Sequence, residues 1–94
     1  MSLKIELVLD KTVTRLAGYE LGKKIFNEQV KEKINYNEKT IIVFPNNITK
    51  LASSFIQGFF GEMVEKIGIA GIEKQIIIES SNEDLRDSII KNLL

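Results

Sequence analysis

Two short runs of branched apolar residues constrain this chain more than any other feature. Thr40-Ile41-Ile42-Val43-Phe44 is one, stopped by Pro45, and Gln75-Ile76-Ile77-Ile78 is the other. Both are too short for a stable helix and lack polar alternation, which predicts strands buried on both faces. Strands of that kind belong to sheets covered by helices, and the segments around them carry the helical period. Leu21, Ile25, Phe26, Val30 and Ile34 form an apolar stripe over 18–34. Phe55, Phe59, Met63 and Ile67, with Ile56, Phe60 and Val64 beside them, form a wider one over 55–67, and Leu85, Ile89 and Leu93 form a third after Ser81-Asn82. Ahead of all these, Leu3, Ile5, Leu7 and Leu9 alternate with Lys4, Glu6, Val8 and Asp10, the mark of a half-buried strand near a sheet edge. The polar, β-branched stretch 11–17 is expected to be extended or looped, with room for a short extra strand around Val13. The fold class that results is α/β, in the order β-α-β-α-β-α, with a mixed or parallel sheet covered by helices.

Punctuation supports these boundaries. Asn35-Tyr36-Asn37-Glu38 reads as a polar turn, and Asn46-Asn47 continue the turn that Pro45 opens. Gly68 stands where a left-handed helix cap belongs, with Ile69-Ala70-Gly71 as the connection to the last strand. Gly18 and Gly22 share a helix face and predict a close approach of that helix to the sheet or to a ligand, close packing being the simpler reading. Their spacing does not fit a phosphate loop, which needs Gly-Lys-Ser/Thr after a strand.

The totals bound the function. Ninety-four residues are expected to make one domain, 1–94, since a chain this size buries only roughly 60–70% of its unfolded surface and has little left for a deep cavity. Thirteen basic and thirteen acidic residues cancel, and the lysines are interleaved with glutamates as in Glu28-Gln29-Val30-Lys31-Glu32-Lys33. No basic stripe marks a nucleic-acid partner. The chain has neither cysteine nor histidine, which removes disulfides, Cys–His and Ser–His nucleophiles and the usual zinc ligands. No apolar run is long enough for a membrane span, and Lys4, Glu6 and Asp10 interrupt any signal-peptide core. The expectation is a cytoplasmic protein that is not an enzyme, needs no cofactor or metal, and touches neither nucleic acid nor membrane.

One segment concentrates the remaining chemistry: Ile48-Thr49-Lys50-Leu51-Ala52-Ser53-Ser54-Phe55, a turn leading into the central helix. Ser54 and Gln57 spell a capping box, in which Ser54 accepts the Gln57 amide and Gln57 reaches back. That leaves Ser53 unassigned. A serine just before a helix is also where a phosphate is well received, because free amides and the helix dipole favour negative charge. The segment follows a strand, so it emerges where open α/β sheets usually bind their ligands. The candidate partner face is Thr49, Lys50, Ser53, Ser54 and Gln57, with Ser53 as the candidate regulatory phosphosite.

Three stretches carry a resemblance: Arg15-Leu16-Ala17-Gly18-Tyr19-Glu20-Leu21-Gly22, the short buried strand ending at Phe44, and Ser53-Ser54-Phe55-Ile56-Gln57-Gly58-Phe59-Phe60-Gly61. Together they resemble the STAS-like family of unknown function (DUF4325), related to the anti-sigma factor antagonist (STAS) domains, from about Arg15 to Leu94. The resemblance implies a STAS-like fold and a partner-switching module of bacterial signalling. In STAS antagonists an Asp-Ser pair opens the equivalent helix, and the serine is phosphorylated by a kinase of the histidine-kinase-like ATPase fold. By position that serine falls on Ser53, while the aspartate's place is taken by Ala52.

Two other readings compete. A receiver-like phosphoacceptor needs an acidic cluster at strand ends for Mg²⁺, and only Asp10 is placed for it, since Phe44-Pro45-Asn46 and Ser80-Ser81 offer no carboxylate. A small structural or self-association domain, with no phospho-switch, would form a homo-oligomer through an exposed apolar patch. Leu93-Leu94 and the phenylalanine-rich helix are its candidates. The discriminating observation is whether Phe55, Phe59 and Phe60 all point inward.

Overall fold

A computed structural model describes residues 2–93, apart from the side chain of Ser2. The order is β1 (Ser2–Glu6), β2 (Arg15–Leu16), α1 (Tyr19–Ile25) continued by a π-helical turn (Phe26–Val30), β3 (Lys39–Val43), β4 (Lys50–Leu51), α2 (Ser53–Gln75), β5 (Ile76–Glu79) and α3 (Glu83–Leu93). The main sheet is parallel throughout, in the order β1-β3-β5, with Ile5 opposite Ile42 and Ile42 opposite Ile78. β2 and β4 form a separate parallel pair. The α/β class is as the pattern predicts, and the choice between mixed and parallel falls to parallel.

β1 lies at an edge, as its alternation predicts, but stops at Glu6 and not at Asp10. Its neighbour is the reason. β3 ends at Val43, just before Pro45, so only the Leu7 N–H still finds a sheet acceptor, the Val43 C=O at 3.0 Å. At Val8 the side-chain amide of Gln29 takes over: Val8 N–H donates to Oε1 (2.7 Å), and Nε2 donates to Val8 C=O (2.9 Å).

Neither buried run is covered equally on both faces. On β3, Thr40 and Ile42 are fully buried while Ile41 and Val43 are only half-buried. On β5, Ile76 is buried but Ile77 is 40% exposed. The helices pack on one face, and the register puts Lys4, Ile41 and Ile77 in one row on the other. A continuous apolar run shows that both faces can be buried; here the chain supplies cover for one.

The first helix departs from the stripe over 18–34. Gly18 precedes it with φ 106°, a region that L side chains rarely adopt, and Leu21 is 38% exposed. Gly22 takes the inward position. A Cβ on Gly22 would lie 2.7 Å from the Phe59 amide nitrogen, and one on Gly58 would lie 2.9 Å from the Tyr19 carbonyl carbon. The expected close approach is therefore real, but it is helix against helix, with glycine on both sides. After Ile25 the helix loosens into the π turn, with Lys31 N–H on Phe26 C=O at 2.9 Å, and Phe26 and Val30 face the core.

α2 is longer than 55–67 at both ends. Gly68 has positive φ (71°, ψ 171°), a region open essentially to glycine alone; it breaks the helix where a glycine stop was expected, but with an extended ψ and not as the left-handed cap. Helical backbone then resumes through Ile69-Ala70-Gly71, where a connection was expected, as far as Gln75. All five phenylalanines are in the core, four of them ringed around Phe59: Phe26 (5.9 Å, edge-on), Phe44 (6.1 Å), Phe55 (5.7 Å, stacked) and Phe60 (4.8 Å, edge-on). Phe59 and Phe60 are adjacent yet both fully buried, because α2 is covered by α1, α3 and the sheet. The phenylalanines of this helix thus present no apolar patch for self-association. Leu93 is half-buried against the core, and Leu94 lies outside the described residues.

Candidate functional site

The segment leading into α2 is held by β2. Thr49 N–H donates to Thr14 C=O (2.8 Å), Lys50 lies opposite Arg15 in the parallel register, and Ala52 N–H donates to Leu16 C=O (2.8 Å). The reading of 48–54 as a turn missed this strand. The extra strand expected around Val13 forms two residues later, at Arg15–Leu16. Asn82, just before α3, closes the far side by donating from Nδ2 to Thr49 C=O (3.1 Å).

Ala52 is the N-cap of α2, extended at φ −75° and ψ 153°, and its C=O accepts the Ile56 N–H at 3.1 Å. An alanine brings no side-chain acceptor. The amides of Ser53, Ser54 and Phe55 are the donors a helix leaves free at its start, and they find no acceptor among the described residues. Ser53 occupies the first helical position with its side chain exposed.

The capping box does not form. Ser54 sits inside the first turn, because the helix begins earlier than Phe55. Its Oγ instead accepts the Gly18 N–H at 3.0 Å, tying the start of α1 to the start of α2. Gln57 is exposed one turn further on and makes no side-chain hydrogen bond among the described residues. Thr49 is exposed and donates from Oγ1 to Thr14 C=O at 3.3 Å. The five candidate residues thus lie along one strand-to-helix segment. To them the fold adds Arg15, Gly18 and Asn82, from segments more than thirty residues away, which no local pattern could have selected. Arg15 and Lys50, both exposed, are register partners in the β2–β4 pair, and β4 leads directly into the free amides.

Asp10 is engaged elsewhere. Its Oδ1 accepts the Thr12 amide (2.8 Å) and hydroxyl (2.7 Å), and these bonds, the backbone one first, hold its carboxyl below the usual range. Among the described residues no group of three or more acidic side chains is gathered as a metal site would need, and no helix is long and apolar enough to cross a membrane.

A parallel β-α-β sheet with helices on one face, and a serine at the start of the central helix, defines a small α/β domain of STAS-like architecture. The family described as a STAS-like domain of unknown function (DUF4325) matches residues 22–86, well over half of the chain, and the chain belongs to it. The match includes Ser53 and leaves Arg15 and Gly18 outside. No curated protein and no solved structure matches the chain.

Proposed function

We propose that this chain is a non-catalytic protein-interaction module of the cytoplasm, a partner-switching regulator with Ser53 as its phosphorylatable residue. The observation that carries the reading is the setting of Ser53: an exposed residue at the first position of α2, where three amides are free, with the exposed Arg15 and Lys50 paired on the strands that lead into the helix. A phosphate there adds close to two negative charges at neutral pH. The helix dipole and the two cations would receive it, a favourable contribution of about 0.3–1 kcal/mol from the dipole. The switch would therefore alter the surface without unfolding the domain. The partner face is Thr49, Lys50, Ser53, Ser54 and Gln57, now joined by Arg15. A protein of the histidine-kinase-like ATPase fold suits it, both as kinase and as the partner released on phosphorylation. With Ala52 in the aspartate's place, Ser53 acts with the free amides and the cations alone.

The test compares wild type, Ser53→Ala and Ser53→Asp as bait in native extract, followed by titration calorimetry against the captured protein and mass spectrometry for phosphoserine. Ser53→Asp is expected to weaken binding at least tenfold, about 1.4 kcal/mol, with Ser53→Ala binding as wild type and all three melting together. Equal affinity for the three would remove Ser53 from the mechanism.

A further inference from the structure

The two edges of the main sheet are protected differently. Along β1, Lys4 and Glu6 alternate with the apolar residues, and Gln29 occupies both backbone groups of Val8. Charges and covering groups of this kind keep an edge from recruiting another strand. β5 is the opposite edge; its one charge is the terminal Glu79, and among the described residues no side chain covers the outward backbone groups of Ile76-Ile77-Ile78. Its backbone phase is set by Phe44 N–H, which donates to Glu79 C=O at 2.9 Å. Groups alternate along a strand, so Ile77 and Glu79 point toward β3 while Ile76 and Ile78 point outward. The Ile76 N–H is already bonded to Ile72 C=O. That leaves the Ile76 C=O and both backbone groups of Ile78 on the open side.

A groove of about 660 Å³ runs beside this edge, between β5, α3 and the end of α2. Its floor is Ile72, Ile76, Ile78, Ile89 and Ile90. Its rim carries Glu73 and Asp87 against Arg86 and Lys91, all exposed. None of the four forms an ion pair among the described residues, where Lys31–Glu62 at 3.3 Å is the one such contact.

We infer that the β5 edge and this groove are a homodimer interface, in which a second copy of the chain pairs its β5 antiparallel at Ile78 and lays its α3 against the first. A residue with both N–H and C=O turned outward is what a two-fold axis through an antiparallel pair requires: Ile78 exchanges two hydrogen bonds with its own copy. The rim charges point to the same occupant. A two-fold interface must be self-complementary, and a rim with two charges of each sign meets that condition. Asp87 and Lys91 are one turn apart on α3, so antiparallel α3 helices whose two-fold axis crosses at the level of Ile89 set Asp87 of each copy against Lys91 of the other. A partner carrying one sign of charge would meet repulsion at half of the rim. One short strand and one helix make a small interface, of the size class of reversible complexes. Neither Ser53 nor Lys50 lies in this surface, and the inference stands apart from the proposed switch.

Sedimentation equilibrium of the full chain between about 1 and about 300 µM is expected to show a monomer–dimer equilibrium. Lys91→Glu is expected to raise its dissociation constant at least tenfold, and Asp87→Lys combined with Lys91→Glu to return it to within about threefold of wild type. In wild type, protection of the Ile78 amide from hydrogen exchange should rise with protein concentration while that of Val8 stays constant. A chain monomeric throughout the range would overturn the inference. So would a dimer indifferent to Lys91→Glu, a charge swap that restores nothing, or an Ile78 amide whose exchange ignores concentration.

Discussion

The hydroxyl oxygen of Ser54 illustrates how a residue chosen for one role can serve another. Ser54 and Gln57 have the spacing of a capping box, yet Ser54 Oγ accepts the Gly18 N–H across 36 residues of sequence. Gly18 has φ 106°, and its amide needs an acceptor that the start of α1 does not provide. Ser54→Ala is therefore expected to cost about 1 kcal/mol in urea unfolding through this one bond. Gln57→Ala should change stability by less than about 0.5 kcal/mol, as an exposed substitution does. A comparable loss for Gln57→Ala would restore the capping box and refute the Gly18 contact. Ser53 was legible as a helix-start serine from its neighbours alone. The pairing of Arg15 with Lys50 on the strands that lead to it was not, because it exists only through the β2–β4 register.

Among the elements, the crossing of α1 and α2 depends on what is absent at two positions. Gly22 and Gly58 let the backbones meet, with Phe55, Phe59 and Tyr19 main-chain atoms where a Cβ would stand. Gly61, three residues beyond Gly58 in the same helix, has nothing within 4 Å of the equivalent point. The same substitution should then have opposite effects at the two sites. Gly58→Ala is expected to destabilise by about 1–3 kcal/mol, since rigid backbone must move apart. Gly61→Ala should stabilise by up to about 1 kcal/mol, the ordinary helical gain over glycine. Equilibrium unfolding of both variants checks the pair, and equal effects would mean that the helices are not in backbone contact. Of the Gly18–Gly22 pair only Gly22 makes the expected close approach; Gly18 stands ahead of the helix, with nothing nearer than 4.0 Å to a Cβ there. What Gly22 met was decided by Gly58, and Leu21 lost the inward position to Gly22 for the same reason.

Among the described residues three buried polar atoms, on Tyr36, Thr40 and Gln75, lack a hydrogen-bond partner, and one of them has a consequence for pH. The Tyr36 hydroxyl is buried without a hydrogen-bond partner. Burial first, and the charge of Glu62 second, raise its pKa above the ordinary tyrosine value. The folded protein thus holds this proton at pH values where the unfolded chain has released it. The associated stability is fully present below pH about 10 and is lost as pH rises beyond it. Tyr36→Phe removes both the unpaired hydroxyl and its titration. The variant is expected to be as stable as wild type or more so at neutral pH, and to lose less stability than wild type between pH about 9 and about 11. Parallel losses in urea unfolding over that interval would show that other groups govern the alkaline limb.

The kind and order of the main elements, the break at Gly68, and the apolar stripes of α2 and α3 were determined by the sequence itself. Each depends on spacing within one segment, where period, caps and glycines act locally. The single-sided cover of β3 and β5, the β2–β4 pair, the early end of β1, the destination of Ser54 and the neighbourhood of Ser53 were decided only by the tertiary structure. A segment's pattern shows which of its faces are apolar or polar. What lies against a face is set by segments thirty or more residues away, and the free energy of that contact exists only once both are in place.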